Sequence, residues 1–420
     1  MNERVNHHAP AGGAPAIPQK SGGAFGIPEL TPPNRRQAIR VKMIEEYIDF
    51  LLEKSTPQAP CWNIETIRAG GKASWNYVDG CMIHAFLEMY QISGKEAYLN
   101  FSREFIDNFV REDGSIDSYD LEEYNLDNIN AGKTLFDLYR LHKDEKYRRA
   151  IQRIYRQIRL QPRTKEGNFW HKKIYPQQVW CDGFYMAMPF YCLYEVWFND
   201  FKNCGDIVSQ FQNAYRLMRD TRNGLYYHAY DSSKTAFWCD PVTGLSSHAW
   251  LRAMGWYAMA LVDVCEVFGE HKETAGFCRE LAKIYKELID AMIKYQDAGS
   301  GMWYQIPNYG GIAPNYLETS GTAIFAYAIL KSVRLGLLPE EYEVYGQKAF
   351  DGVCEKYLAV KNGELTLGGI CLVAGLGNTA HREGTFDYYM KEPIVENDAK
   401  GVAPLILAYT EILHRRKENS

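Results

Sequence analysis

The chain repeats one hydrophobic pattern six times. Each copy opens with a polar and aromatic cluster and continues into a run of small and apolar residues about four helical turns long. Asp, Asn, Ser and Thr in these openings are typical helix N-caps. A recurring period of this size indicates stacked or closed copies of one supersecondary unit. The six openings are residues 75–80, 125–132, 180–183, 247–256, 318–322 and 396–401.

Six further segments between the openings have a different character. Residues 44–54 place apolar side chains at helical spacing and charged side chains on the opposite face. The runs that follow the openings, such as residues 183–197, are apolar nearly all round. One half-exposed helix and one buried helix, six times over, predict an all-α fold: an (α/α)6 barrel of twelve helices in two concentric rings. The half-exposed helices are predicted near 36–54, 95–112, 144–161, 204–220, 271–296 and 339–358.

The chain divides into a short tail and one large domain. Residues 1–35 are rich in Gly, Pro and Ala and poor in large apolar side chains, so we expect a disordered tail. Nothing within residues 36–420 resembles a linker. Closed helical barrels exceed the usual length of one domain, and we therefore predict that residues 36–420 form a single catalytic barrel.

The amino-acid composition narrows the classes of molecule that the protein could bind. Aromatic residues make up 14% of the chain, with 30 Tyr and 9 Trp, enough to line a sugar-sized cleft. A net charge of −5 without any basic run argues against nucleic acid. No apolar stretch is long and charge-free enough for a membrane span or a signal peptide. The ten cysteines lack the spacing of a disulfide framework, which favours reduced thiols in a cytoplasmic protein.

Common cofactor motifs fail on their context. The glycine-rich segment 370–380 resembles a dinucleotide loop, but residues 384–389 are too short and polar for the helix that should follow, and only one helix is predicted after them. The chain contains no CxxC pair, HExxH, Walker loop or nucleophile elbow. We therefore expect neither a metal ion nor a cofactor.

Asp182 is the strongest candidate for catalysis. It stands between Trp180 and the apolar run 184–190, where water is scarce. As a purely structural residue it would be the N-cap of its helix. An apolar, aromatic wall favours the proton-bearing form of a carboxyl group and suits it to proton donation near neutral pH.

Three other acidic residues occupy related openings. Asp127 lies in the preceding repeat and could face Asp182 across the ring, where its negative charge would hold the proton on Asp182 more firmly. Asp79 and Asp398 are interpreted chiefly as helix caps. The sequence therefore predicts one proton donor and one supporting carboxylate.

A histidine, an arginine and a tryptophan complete the candidate site. His228 lies in a loop-like stretch among aromatic residues, where hydrogen-bonded structure and substrate contact are equally plausible roles. Arg252 opens an apolar inner helix two residues after Trp250, so its charge requires either an internal carboxylate or an anionic ligand. We favour the ligand, because a guanidinium beside a tryptophan suits a sugar that carries a carboxylate.

These segments resemble one known family, the unsaturated rhamnogalacturonyl hydrolases of glycoside hydrolase family 105. The resemblance spans roughly residues 36–415, and the run Trp-x-Asp-Gly-x-x-Met-Ala-x-Pro-Phe at 180–190 is its most specific motif. Cys181 departs from the apolar residue expected there, which should alter packing more than chemistry. The other matching segments are 127–132, 224–231, 250–256, 382–389 and 396–401.

The resemblance implies an unusual route of glycoside cleavage. Its substrates would be pectin lyase products that end in a 4,5-unsaturated galacturonic acid, and Asp182 would protonate C4 and then activate the water that attacks C5. Asp127 would orient the sugar. His228 and Arg252 would hold its hydroxyl and carboxylate groups. Trp180 and Trp250 would offer ring faces for packing.

Three other functions remain open at the level of the sequence. A related unsaturated glucuronyl hydrolase would cleave glycosaminoglycan or plant disaccharides. A sugar epimerase on the same barrel would need two histidines facing each other, and only His228 and His248 are placed to try. A non-catalytic carbohydrate-binding barrel would need aromatic side chains without a dry carboxylic acid.

Overall fold

The computed structural model describes residues 35–377 and 380–418. The predicted tail, residues 1–35, lies almost entirely outside the described residues, and the domain boundary stays a prediction. Fourteen helices occur in the described part of the chain. They are α1 (Arg35–Lys54), α2 (Ile64–Arg68), α3 (Tyr77–Ser93), α4 (Glu96–Asp107), α5 (Thr134–His142), α6 (Glu145–Leu160), α7 (Cys181–Phe198), α8 (Cys204–Met218), α9 (Leu251–Gly269), α10 (Ala275–Met292), α11 (Thr319–Arg334), α12 (Glu343–Tyr357), α13 (Phe386–Lys391) and α14 (Ala399–Glu418).

Six helices form a closed inner ring. Helix α3 packs against the 3-10 segment Leu126–Lys133 that leads into α5, and this segment packs against α7. The ring continues through α9, α11 and α14, and α14 returns to α3. Helices α4, α6, α8, α10 and α12 each pack outside one inner helix, and α1 packs against α12. The predicted (α/α)6 barrel is confirmed.

Glycines allow the inner helices to approach closely. A Cβ at Gly80 of α3 would lie 2.7 Å from the Cα atom of Ala131. A Cβ at Gly321 of α11 would lie 2.4 Å from Cγ of Leu251. Both separations are too short for non-bonded carbon atoms, so only glycine permits these helix crossings.

Side-chain caps distinguish the inner helices. Asn76 caps α3 by accepting a hydrogen bond from the Asp79 amide, and Glu318 caps α11 through the amides of Ser320 and Gly321. The backbone amide of Lys400 donates to Asp398, as expected of a cap. By contrast, α7 and α9 begin without any side-chain cap.

The interpretation of Asp79 as a helix cap was therefore wrong, and the capping alternative for Asp182 does not hold. Asp79 lies inside α3 and accepts hydrogen bonds from Trp62, Asn63 and Asn76 instead. Asp182 is the second residue of α7 and caps nothing, since its carboxylate oxygen Oδ2 is buried without a hydrogen-bond partner. Local capping does not explain why an aspartate stands at this position.

Three short antiparallel ladders join the loops at the inner-helix N-termini. They were not predicted from the sequence, because strands of two to four residues are too short to carry a periodic pattern. The expectation of a single helix after the glycine-rich segment was also wrong, since Thr385 caps α13 there. The strands are β1 (Gln178–Trp180) with β2 (Ala229–Asp231), β3 (Leu358–Lys361) with β4 (Glu364–Leu367), and β5 (Ile370–Cys371) with β6 (Ile394–Val395).

Two further expectations concern membranes and thiols. No helix within the described residues is long and apolar enough to cross a bilayer. All ten cysteines are free, and seven of them lie inside helices where they serve as small apolar side chains.

Candidate active site

The β1–β2 ladder brings Asp182 to His228. Trp180 pairs with Ala229, and the Cys181 amide donates to the His228 carbonyl at 3.0 Å. Oδ2 of Asp182 then lies 3.2 Å from Nε2 of His228. The angles are not those of a hydrogen bond, so both atoms are buried without a partner. His228 thus lies in a loop, as the sequence suggested, immediately before the short strand β2.

The imidazole of His228 is fixed on its other side by Tyr389. His228 is fully buried, and its Nδ1 lies 2.8 Å from the Tyr389 hydroxyl on α13. Burial raises the pKa of Tyr389 well above its usual value, so the hydroxyl keeps its proton. When this hydroxyl donates to Nδ1, the ring proton sits on Nε2 and faces Asp182. Tyr389 is the last residue of the matching segment 382–389, but the sequence did not indicate a role for it.

Asp127 is held by two basic side chains that follow one another in the chain. Lys172 Nζ lies 2.6 Å from its Oδ2, and His171 Nε2 lies 3.4 Å from its Oδ1. Burial raises the pKa of Asp127, but the charges of Lys172 and His171 outweigh it and hold the pKa below its usual range. Asp127 is therefore a paired, ionised carboxylate. Lys172 offsets part of the negative charge that was expected to sustain the proton on Asp182.

His171 links the two carboxylates. It is 3% exposed, and both Asp127 and Asp182 are close enough to favour its charged form. Burial is the larger effect and lowers the pKa of His171 to about 4. The sequence analysis missed His171 and Lys172, because neither lies at a helix opening; their pairing with Asp127 exists only in the tertiary structure.

We expect the free energy of unfolding to decrease as the pH falls from about 6.5 to about 4. Burial also lowers the pKa of His248 to about 4, so in this window the unfolded chain binds protons that the folded site rejects. Urea denaturation at a series of pH values measures the loss. The Asp127 pair adds stability that is lost only further down, as pH falls through its lowered pKa.

A matched pair of variants tests whether His171 causes this loss of stability at low pH. His171→Gln should flatten the decrease between pH 6.5 and pH 4, whereas His142→Gln, at an exposed position on α5, should leave it unchanged. Equal slopes for the wild type and His171→Gln would contradict a neutral His171 in the folded protein.

Trp180 is enclosed by other rings. It stacks on His171 at 4.7 Å and on Tyr175 at 5.0 Å between ring centroids, and it meets the edge of His228 at 5.5 Å. Its Nε1 donates to Gln178 at 3.1 Å. Trp180 thus forms a rigid wall beside Asp182. The packing of a sugar ring on it stays a prediction.

Arg252 is buried beside Trp250, and it is satisfied in an unexpected way. Its guanidinium lies 4.8 Å from the Trp250 ring centroid and donates to the Ser320 hydroxyl at 3.2 Å. Two more hydrogen bonds go to the backbone carbonyls of Cys371 and Leu372. No carboxylate within the described ranges lies at ion-pair distance from it. The two alternatives drawn from the sequence overlooked backbone carbonyls, and the carboxylates of Glu318 and Asp398 act on the guanidinium only from beyond ion-pair distance.

Several buried polar atoms at this end of the barrel have no partner. Both ring nitrogens of His248 and Nε1 of Trp250 are in this state. Trp250 lies 4.8 Å from His228, and the His228 amide donates to the His248 carbonyl at 3.1 Å. The two histidines are therefore neighbours on adjoining backbone, and they do not face each other across the ring. Unpaired donors and acceptors among aromatic rings suit a ligand rich in hydroxyl groups.

The described residues thus form a closed helical barrel with a buried carboxylate oxygen of Asp182, without a hydrogen-bond partner, among histidines and tryptophans, and the family match makes the protein a glycoside hydrolase. Residues 53–416 match Glycosyl Hydrolase Family 88, and the chain belongs to this family. Within the described residues, no group of His, Cys, Asp or Glu side chains is arranged to hold a metal ion.

The comparisons also confirm the resemblance to family 105. A solved glycoside hydrolase from family 105 of C. acetobutylicum ATCC 824 is 40% identical and superposes with a TM-score of 0.80, covering 88% of this chain and 98% of that one. A 24.9 kDa protein in the picA locus of Rhizobium radiobacter is 42% identical over 50% of this chain and 90% of its own length. Unsaturated rhamnogalacturonyl hydrolase YesR of Bacillus subtilis (strain 168) is 24% identical over 67% of this chain and 76% of its own length.

Proposed function

We propose that this glycoside hydrolase is an unsaturated rhamnogalacturonyl hydrolase. Its substrate would be a pectin lyase product with a 4,5-unsaturated galacturonic acid at the non-reducing end. The released product would be rhamnose or a rhamnose-containing oligosaccharide. The family assignment and the activity named for the Bacillus subtilis relative support this substrate class.

The observation that carries the proposal is the unequal pairing of two carboxyl groups. Asp127 is ionised and held by Lys172, whereas Oδ2 of Asp182 is buried, unpaired and close to His228. An ordinary glycosidase needs two carboxyl groups in separate catalytic roles. An enol ether needs one acid that later becomes the base, and this site offers one such group.

The proposed reaction begins with hydration of the double bond. Asp182 gives its proton to C4, and positive charge develops at C5 and the ring oxygen. Water then attacks C5 while the Asp182 carboxylate takes its proton, which restores the acid. The C5 hemiketal opens to a ketone and frees a hydroxyl at C1. The C1 hemiacetal collapses to an aldehyde and releases the leaving sugar.

The other residues position the substrate in this proposal. The Nε2 proton of His228 supports the carboxylate of Asp182 or a nearby sugar hydroxyl. Asp127 accepts hydrogen bonds from sugar hydroxyl groups through the part of its carboxylate that faces away from Lys172. Arg252 attracts the uronate carboxylate through its positive charge, and Trp180 and Trp250 limit how the sugar ring can lie.

Loss of the double bond in step with sugar release is the expected course of the reaction. With lyase-treated rhamnogalacturonan, ultraviolet absorbance of the conjugated bond should decay as fast as reducing sugar appears. In heavy-oxygen water the label should enter at C5, and in deuterated water one deuteron should appear at C4. Label at C1 with the absorbance retained would identify an ordinary glycosidase and refute the mechanism.

The same assay distinguishes the proposed function from the nearest alternative, an unsaturated glucuronyl hydrolase. Glycosaminoglycan lyase products contain a 4,5-unsaturated glucuronyl unit in place of the galacturonyl one. A higher kcat/KM on those disaccharides than on rhamnogalacturonan products would replace the proposed substrate and leave the hydration chemistry intact.

A further inference from the structure

Two thiols meet where an inner helix of the barrel ends and its outer neighbour begins. Cys265 lies near the end of α9, and Cys278 lies in the first turn of α10. The Cys265 Sγ is 3.7 Å from the Cys278 carbonyl oxygen, and the Cys278 Sγ is 3.4 Å from the Cys265 carbonyl oxygen. Because each sulfur reaches the backbone of the other residue, the two side chains face each other, close enough for a hydrogen bond between the thiols.

The more exposed thiols of the chain have different neighbours. Cys61 and Cys239 are half-buried. The Ser55 hydroxyl donates to the Cys61 sulfur, and the Cys239 sulfur lies 4.0 Å from the Asp231 carboxylate. Within the described residues, neither of these thiols is bonded to a second cysteine. Oxidation of either one therefore has no thiol beside it with which to form a disulfide.

The surroundings of the pair favour Cys278 as the reactive sulfur. The Cys265 thiol, as a hydrogen-bond donor, lowers the pKa of Cys278 enough to outweigh burial, and the positive charge of Arg279 acts in the same direction. The same pairing and burial raise the pKa of Cys265 well above its usual value, so Cys265 keeps its proton. The thiolate is the form of cysteine that attacks an oxidant. Cys278 is thus the nucleophile of the pair, and Cys265 is the thiol that can resolve its oxidised form.

Cys278 is also the member of the pair that lies nearer the solvent. It is 8% exposed, against 1% for Cys265, whereas two other thiols in the vicinity, Cys192 and Cys204, are fully buried. Gly269, the exposed last residue of α9, lies beside the Cys278 sulfur, and a Cβ there would be 3.8 Å from it. Because glycine has no Cβ, this edge of the sulfur is uncovered, and a molecule as small as hydrogen peroxide can approach it.

We propose that Cys265 and Cys278 form a reversible disulfide when hydrogen peroxide oxidises the protein, and that this bond locks α9 to α10. The Cys278 thiolate attacks one peroxide oxygen, the O–O bond breaks, and the departing hydroxide takes up a proton and leaves as water. The Cys265 sulfur then attacks the sulfenic sulfur of Cys278, and its proton leaves with the sulfenic hydroxyl as a second water. Two thiols are oxidised and one peroxide is reduced, and an excess of a dithiol reverses the reaction.

The disulfide would act on the stability of the barrel. It would close the short loop of residues 265–278, which contains the connection between the two helices, and so restrict the unfolded chain. Arg252 lies at the opposite end of α9, about 20 Å away along the helix, so the bond lies far from the candidate active site. The inference is therefore independent of the proposed function, and it can be tested without a substrate.

Peptide mapping tests the bond itself. After treatment with hydrogen peroxide and blocking of the remaining thiols, trypsin should release a cross-linked pair of peptides, because it cleaves after Lys272, between the two cysteines. Cys278→Ser and Cys265→Ala should each abolish the cross-link. Cys239→Ser removes a half-buried thiol elsewhere and should leave the cross-link unchanged. A wild type whose two thiols stay free, or whose cross-link joins other cysteines, would overturn the proposal.

A substitution beside the sulfur tests which thiol is attacked first. Gly269→Val places a side chain over the uncovered edge of Cys278 and should slow formation of the cross-link about threefold or more. The same rate in Gly269→Val and the wild type would overturn the assignment of Cys278 as the thiol that meets the oxidant.

Thermal melting tests whether the bond locks the two helices. The oxidised wild type should melt roughly 3–8 °C above the reduced protein, and dithiothreitol should remove the difference. Cys278→Ser should melt at one temperature with and without peroxide, which controls for oxidation of other side chains. A cross-linked wild type that melts no higher than the reduced protein would overturn the lock.

Discussion

Asp182→Asn should reduce turnover at least a hundredfold and leave the barrel folded. Removing a general acid–base group typically costs about a hundred- to ten-thousandfold in rate, and here one group would serve both proton transfers. Stability should hardly change, because Asp182 neither caps α7 nor accepts a hydrogen bond through its buried oxygen. Steady-state kinetics and thermal melting measure the two effects.

A second aspartate supplies the control for this substitution. Asp387 on α13 lies two residues before Tyr389 and its side chain is 80% exposed, so Asp387→Asn removes the same charge near the site without touching the cleft. It should retain turnover. If Asp182→Asn kept more than a tenth of wild-type activity, Asp182 would not be the proton donor.

Arg252→Met should weaken binding of the unsaturated uronate far more than binding of its reduced, uncharged analogue. The guanidinium is buried, and no carboxylate in the described part of the chain lies at ion-pair distance from it, so a ligand carboxylate would gain a charge-assisted interaction. The variant should also be less stable, because the carbonyls of Cys371 and Leu372 lose their buried donor at about 1–3 kcal/mol each. Titration calorimetry with both ligands and urea unfolding test the two parts.

Arg252→Lys separates charge from hydrogen-bond geometry. Lysine keeps the positive charge but cannot reach Ser320 and two carbonyls at once, so stability should fall as in Arg252→Met while the preference for the uronate is largely retained. Equal losses for charged and uncharged ligands in both variants would mean that Arg252 supports the β5 segment and does not recognise the carboxylate.

The placement of the candidate residues was only partly predictable. Asp182, Asp127, Trp180, Trp250 and Arg252 all lie in or directly before inner helices, where the repeated openings marked them. His228 comes from the loop directly before β2, and its aromatic surroundings marked it as a candidate without indicating its partner. Their substrate roles stay predictions.

The residues that sequence analysis missed act through contacts distant in the chain. Lys172 meets Asp127 from a position 45 residues further on, and Tyr389 meets His228 across 161 residues. Neither carries a local periodic signal, since each lies outside the long inner helices. Pairing across such distances depends on how the loops fold over the barrel mouth.

By itself, the sequence determined the architecture and where the chemistry lies. Alternation of half-exposed and fully apolar helical runs leaves a double ring as the arrangement that buries both sets, because each inner helix must be covered all round. The openings of the inner helices then share one end of the barrel. Both features depend on short-range periodicity, which the order of residues contains in full.

Only the tertiary structure decided the state of each group at that end. It left Asp182 unpaired while Lys172 neutralised Asp127, and it gave Arg252 backbone carbonyls in place of a carboxylate. The charge and proton affinity of a side chain depend on distances of a few ångströms and on burial, which loops from all six repeats set together. No window of the sequence contains those distances.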